Sequence, residues 1–269
     1  MPLRDFAFVL FKPKSPGNIG AAARALKNMG CHDLRIVQPG APYSAAYAER
    51  TQLGRRFGFD DAATMAVHGR DILDDAPIHA DLSSALADRT IVVGTTARAG
   101  FYRNEAKSIR EVAVELGSLS DVNRIAVVFG PEDCGLTNQE LKLCQRLITI
   151  PTAPEYPSLN LAQAVMITAY ELMLAAGAPR QLPSAQQWAP IPEMEAMLAR
   201  MTKALVAIGF LPEDNPDHIM FALRAVLGRA GLKPRELHII NGIASQILWY
   251  AQSGYDTLAR KRAEGKKIK

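Results

Sequence analysis

The chain has 269 residues, 48% of them hydrophobic and 22% charged, with a formal net charge of +4. That is an ordinary globular composition, long enough for one domain with an appendage, and it excludes wholesale disorder. The three cysteines (Cys31, Cys134, Cys144) contain no Cys-x-x-Cys pair and the five histidines form no cluster, so a disulfide framework, a zinc site and metal catalysis are not expected.

Phe6 to Phe11 is an apolar run ended by Lys-Pro and reads as a buried strand. SPGNIG is a turn. The following AAARALKNMG is a helix of strong formers, with Gly30 placed to cap its C-terminus. Leu34 to Val37 is a second strand, and residues 44–54 look helical. Turns are expected around Asp71, then a helix near Leu82 to Ala87 and a strand from Thr90 to Val93. The loop Gly94–Thr95–Thr96–Ala97–Arg98 leaves that strand. A helix near Ile109 to Leu116 precedes the strand Arg124 to Phe129, from which the loop Gly130 to Gly135 departs. Thr137 opens a helix with Glu140 at the capping-box spacing. Leu147 to Ile150 is the last strand, and a Pro-rich loop, Pro151 to Pro157, leads to a helix from about Leu159 to Ala176. This alternation predicts an α/β fold, a mostly parallel sheet with helices on both faces. Functional loops then belong at the carboxyl ends of the strands, and 94–98, 130–135 and 151–160 qualify.

Residues 177–192, GAPRQLPSAQQWAPIP, read as a linker. Pro192 to Ile208, Pro216 to Ala230 and Pro234 to about Tyr250 show helical periodicity, each with Pro at or near its start. The expected division is an α/β domain at 1–176, a linker at 177–192 and a helical C-terminal extension at 193–269. The longest apolar runs are strand-length and the N-terminus lacks a signal-peptide pattern, so no membrane span and a cytoplasmic location are expected. Arg55–Arg56 and the tail Arg260 to Lys269 are basic clusters that suit a polyanion and suit a solvated end equally well.

No Gly-x-Gly-x-x-Gly follows the first strand and no Gly-x-x-x-x-Gly-Lys-Ser/Thr occurs, which disfavours dinucleotide and P-loop sites. Gly17-x-x-Gly20 alone signals a tight turn with close helix packing. Three segments carry more. They are Asn18–Ile19–Gly20–Ala21–Ala22–Ala23–Arg24, Val128–Phe129–Gly130–Pro131–Glu132–Asp133–Cys134–Gly135–Leu136, and Ile150–Pro151 through Tyr156–Pro157–Ser158–Leu159–Asn160–Leu161–Ala162. In this order, with Gly94 to Arg98, they resemble the motifs of SPOUT methyltransferases of the TrmH-like branch, most closely the TrmJ family. The resemblance covers about residues 5–176, and the helical extension resembles TrmJ architecture more loosely. Pro131 departs from many relatives that carry Arg there, which removes one RNA-phosphate contact, and Pro157 from many with Ser.

The resemblance implies a trefoil knot at the carboxyl end of the domain and a homodimer whose active site uses both chains. It implies S-adenosylmethionine-dependent 2′-O-methylation of tRNA, at cytidine or uridine of nucleotide 32 in the anticodon loop. A ribosomal RNA or another tRNA position as target, or a non-catalytic RNA-binding protein on the same scaffold, remain alternatives. By resemblance the cofactor sits among Thr95, Thr96, Ala97, Gly130, Glu132, Ile150, Ser158, Leu159 and Asn160. Gly130 permits close backbone approach, and the prolines at 151, 154 and 157 stiffen their loop. The catalytic set is Arg24, Asn18, Ser158 and Asn160, with Arg24 as phosphate anchor and activator of the ribose hydroxyl. A literal base role is costly, because arginine's pKa of about 12.5–13.8 puts deprotonation at neutral pH on the order of 8 kcal/mol uphill. Asn18 and Ser158 each also read as helix N-caps. Glu132 orients loop 130–135 or pairs with the partner's Arg24. Asn160 orders its loop and helps place Arg24. Cys134 follows Asp133, which disfavours a thiolate, and is expected to be a packing residue.

Overall fold

The computed structural model describes residues 3–40, 61–97, 106–176 and 186–254. The expected helix at 44–54, Arg55–Arg56, Arg98 and the basic tail lie outside them. The chain divides into two compact units, Met1–Gln187 and Trp188–Lys269.

The first unit is built on a sheet of seven strands, all paired in parallel: β1 (Phe6–Phe11), β2 (Asp33–Val37), β3 (Ile78–His79), β4 (Ile91–Thr95), β5 (Lys107–Ser108), β6 (Ile125–Phe129) and β7 (Arg146–Thr149). Their order is β3-β2-β1-β6-β4-β7-β5. The central strands β1 and β6 are buried at every residue, as strands covered on both faces must be. Phe8 and Phe129, on these two neighbours, stack with ring centroids 6.1 Å apart.

The helices of this unit are α1 (Pro16–Asn28), α2 (Asp61–Ala66), α3 (Arg70–Asp75), α4 (Leu82–Leu86), α5 (Ile109–Leu119), α6 (Asn138–Leu141) and α7 (Leu161–Ala176). α1 packs against α2 and α7, and α7 against α5. A Cβ at Gly20 would stand 1.9 Å from the Ala62 carbonyl oxygen, so the α1–α2 approach requires glycine there. The close-packing reading of the Gly17-x-x-Gly20 spacing therefore holds at Gly20. Gly30 follows α1 at φ +70°, as a helix stop demands. The capping box at Thr137 and Glu140 is formed.

Two local expectations are corrected. Asp71 lies in a helix, α3, where the helix N-terminus favours its charge and Ile72 and Leu73 are buried. Gly94 and Thr95 belong to β4, paired to β7 on one side, instead of opening a loop. The two-residue edge strands β3 and β5 show no periodicity in the sequence and exist only through their neighbours.

The second unit, among the described residues, is helical: α8 (Ile191–Ala207), α9 (Asp217–Ala230) and α10 (Pro234–Trp249). Its core holds Met194, Met197, Leu198, Leu211, Met220 and Leu237. Trp188 is buried, and its indole fills the space beside Gly231 where a Cβ would stand.

Candidate active site

Parallel pairing puts the carboxyl ends of β1, β4, β6 and β7 on one edge of the sheet. The loops leaving β4, β6 and β7 enclose a cleft of about 270 Å3 there, just below the roughly 300–1,000 Å3 of small-molecule sites. Thr95, Thr96, Ala97, Gly130, Glu132, Ile150, Ser158 and Leu159 all line it. Asn160, Asn18 and Arg24 do not.

The cleft loops are shaped by their own bonds. Thr95 Oγ1 donates to the Val128 carbonyl at 3.0 Å and the Thr96 N–H to the Ile148 carbonyl at 2.9 Å, so both groups are committed to neighbouring strands. The Gly135 N–H closes a turn onto the Pro131 carbonyl at 2.8 Å. A Cβ on Gly130 would meet Gly135 C and Leu136 N at 2.3 Å. Glycine is thus required at 130 by the loop folding back on itself. Ser158 and Leu159 make no hydrogen bond to any described residue and keep their polar groups available at the cleft wall. Apolar side chains from Ile148, Ile150 and Leu136 complete the wall. Unspent main-chain donors and acceptors beside apolar walls fit a nucleoside-bearing ligand such as S-adenosylmethionine.

A chain of hydrogen bonds joins three segments far apart in sequence. Asn160 Nδ2 donates to Asn18 Oδ1 at 2.8 Å, and Asn18 Nδ2 donates to Glu132 Oε1 at 2.8 Å. Glu132 also accepts from the N–H of Lys14 at 3.0 Å and of Ser15 at 3.2 Å. Its carboxylate therefore stands at the N-terminus of α1, where the first turn supplies no acidic residue and the N-cap Ser15 makes no side-chain cap. Burial alone would raise the Glu132 pKa. The hydrogen bonds from Asn18 and the backbone outweigh it and hold the carboxyl below its ordinary range.

Both N-cap expectations are corrected. Asn18 lies within α1, two residues past its first, and uses its side chain across the structure. The cap of α7 is Asn160, whose Oδ1 accepts from the N–H of Ala162 at 2.9 Å and of Gln163 at 3.4 Å, and not Ser158.

Arg24 is exposed on α1, and its guanidinium meets no partner among the described residues. Lys27, one turn on, is paired with Asp71. Cys134 is exposed and lines the cleft, so it is not a packing residue. Cys31 is buried and Cys144 partly so, and desolvation pushes both thiols up to about 12. Sequence reasoning passed over Lys14, whose Nζ meets Asp133 Oδ2 at 2.6 Å on the lip of the cleft. Its only signal was a lysine between two prolines in the β1–α1 loop.

The model of the SpoU rRNA Methylase family matches residues 5–170, and that of the tRNA methyltransferase TrmJ C-terminal domain matches residues 192–262. A Pseudomonas aeruginosa protein named tRNA (cytidine/uridine/adenosine-2′-O-)-methyltransferase TrmJ is 36% identical over 250 residues, 88% of this chain and 91% of its own. A Salmonella choleraesuis protein named tRNA (cytidine/uridine-2′-O-)-methyltransferase TrmJ is 33% identical over 91% of this chain and 97% of its own. The crystal structure of TrmJ from Z. mobilis ZM4 superposes with a TM-score of 0.69 at 29% identity, over 90% of this chain and 98% of that one. Fold and cleft together are those of a SpoU-class methyltransferase. The chain belongs to the SpoU methylase family, in its TrmJ branch.

Proposed function

We propose that the protein transfers a methyl group from S-adenosylmethionine to the ribose 2′-hydroxyl of a tRNA, at cytidine or uridine of nucleotide 32. The observation that carries this reading is the convergence of the loops after β4, β6 and β7 on one cleft, with Ser158 and Leu159 unspent at its wall. The tRNA substrate rests on the names of the relatives, and nucleotide 32 on the resemblance of the motifs. The bound cofactor supplies an electrophilic methyl on a sulfonium. The main chain of Thr95 to Ala97, Gly130, Ile150, Ser158 and Leu159 would hold it, and Glu132, tied to α1, fixes the loop that forms its lip.

Holding two reactants in attack geometry is worth roughly 7–11 kcal/mol, so positioning is the main task of these residues. Arg24 anchors a substrate phosphate and stabilises the developing 2′-alkoxide through charge-assisted hydrogen bonds as the hydroxyl proton passes to solvent. Asn18 and Asn160 lock α1 to α7 and so set where Arg24 stands. Arg24 does not line the cleft of its own chain, which supports a homodimer in which each chain lends Arg24 to the other's cleft. Ala21 and Ala25 of α1 and Met166 and Ile167 of α7 border an open groove, and Tyr170 and Leu174 of α7 are exposed, an apolar face suited to that contact.

We place the catalytic domain at 1–176, the linker at 177–192 and the helical extension at 193–269, with the last residues of that linker, from Trp188, already within the second compact unit; one family match ends at 170 and the other begins at 192. The insertion of β7 between β4 and β5, both earlier in the chain, accords with a knotted carboxyl end. A tRNA-modifying enzyme works where tRNA is, and we place the protein in the cytoplasm on that ground. The test is mass spectrometry of nucleosides and fragments from transcript tRNA incubated with enzyme and labelled cofactor. A 2′-O-methylpyrimidine in the anticodon-loop fragment is expected. Label confined to a ribosomal RNA fragment, or no label with RNA still bound, overturns the reading.

A further inference from the structure

The lip of the cleft carries two adjacent carboxylates in different situations. Glu132 is partly buried and spends its oxygens on Asn18 and the N–H groups of Lys14 and Ser15. Asp133 is exposed and holds the Lys14 ammonium at 2.6 Å. Both ends of that ion pair are more than half open to water, 61% for Lys14 and 56% for Asp133. A pair so exposed adds little to stability, because solvent screens both charges. Glu132 already ties the same two segments together, so the fold does not need a second tie.

The backbone of Lys14, in contrast, is firmly fixed. Pro13 precedes it, Ser15–Pro16 follows, and its N–H is bound to Glu132. The result is a pinned base carrying a long, flexible, exposed cation at the mouth of the cleft. A bare Asp133 at this place would repel any polyanion that approached. Lys14 neutralises it and keeps donors to spare, since an ammonium offers three.

We propose that Lys14 is a positioning residue that anchors the sugar-phosphate backbone of the substrate RNA at the mouth of the cleft, with Asp133 parking the ammonium there until a phosphate displaces it. This rests on the tRNA reading above. It makes the lip a site of exchange, in which one ion pair opens as another forms, and the cleft loops themselves need not move.

The experiment measures binding of unmodified transcript tRNA to the full-length protein without methyl donor, across a salt series, for wild type, Lys14→Ala, Lys14→Arg and Asp133→Asn. Lys14→Ala is expected to weaken binding roughly three- to tenfold and to make the salt slope shallower by about 0.7–1. Lys14→Arg restores both. Asp133→Asn frees the ammonium and tightens binding. In turnover, Lys14→Ala raises KM for tRNA by more than it lowers kcat. If the pair only holds the lip together, Lys14→Ala and Asp133→Asn break it alike and weaken binding in the same direction. That result, or an unchanged salt slope for Lys14→Ala, overturns the proposal while wild-type methylation of tRNA leaves the functional reading intact. A wild-type protein that methylates no tRNA overturns both.

Discussion

The two edges of the parallel sheet use charge in opposite ways. At the amino-terminal edge Arg35 and Arg89, with side chains only 11% and 5% exposed, share the carboxylates of Asp33 and Asp88. Arg35 bonds Asp33 at 2.9 Å and Asp88 at 2.6 Å, and Arg89 bonds the same two at 2.5 Å and 3.0 Å. Arg35 also donates to the Ala85 carbonyl at 2.7 Å. Each of these four charges has a partner in its own chain. On α1 Arg24 has none among the described residues, and at the carboxyl-terminal edge Lys14 is held by a carboxylate open to water. Charge closed on itself fixes the sheet, whereas charge left open awaits a ligand. The same residue type, arginine, is structural at the amino-terminal edge and a candidate for chemistry on α1 because of burial and partners alone.

Substitutions at the two edges test that contrast. Arg24→Ala should have the largest effect, lowering kcat by about 10²–10³ while leaving cofactor affinity by calorimetry and the melting temperature nearly unchanged. A large loss of cofactor binding would put Arg24 in the wrong role. Arg89→Ala should do the reverse. It leaves two carboxylates to share one buried guanidinium and should cost about 1–3 kcal/mol of stability, discounted for the partial exposure of both aspartates. At a few degrees per kcal/mol that is on the order of 3–10 °C in melting temperature, with kcat and KM unchanged at a temperature where the protein is folded.

Asn18→Ala removes the link between Glu132 and Asn160 and should cut kcat about tenfold, as expected for a misplaced reacting group, with a melting shift smaller than that of Arg89→Ala. Equal losses of stability in the two variants would erase the distinction between the edges. Glu132→Gln should show the smallest effect, a loss of stability that depends on pH. The folded carboxyl lies below its ordinary value of 4.5, so its contribution to stability is present above that value and is lost as pH falls through the lowered one. The stability difference between wild type and Glu132→Gln should therefore shrink as denaturation is followed from neutral pH to below 4. A difference constant across that range would mean that Glu132 contributes no such linkage.

Much of this was legible in the sequence. The runs Phe6 to Phe11 and Ile125 to Phe129 are apolar without alternation because both faces of their strands are covered, and that pattern is local. Gly20 and Gly30 could be read because a helix–helix approach and a helix stop each act on a single residue. The cleft residues were found through motif resemblance, which encodes proximity that no periodicity reveals. Lys14 was missed because an exposed lysine in a loop looks the same whether or not a carboxylate waits beside it. Ser158 was read as a cap in place of Asn160 because both are capping residue types, and only the start of α7 decides between them.

The amino-acid sequence by itself determined the parallel α/β unit, the helical segments beyond it and the three loops at the strand ends, because strand burial and helix capping act over a few residues. Only the tertiary structure decided that Asn160, Asn18 and Glu132 form one hydrogen-bond chain, that Gly130 serves its own loop, and that Arg24 stands clear of the cleft. Those facts depend on main-chain directions brought together across more than a hundred residues, and no local pattern carries a distance of that kind.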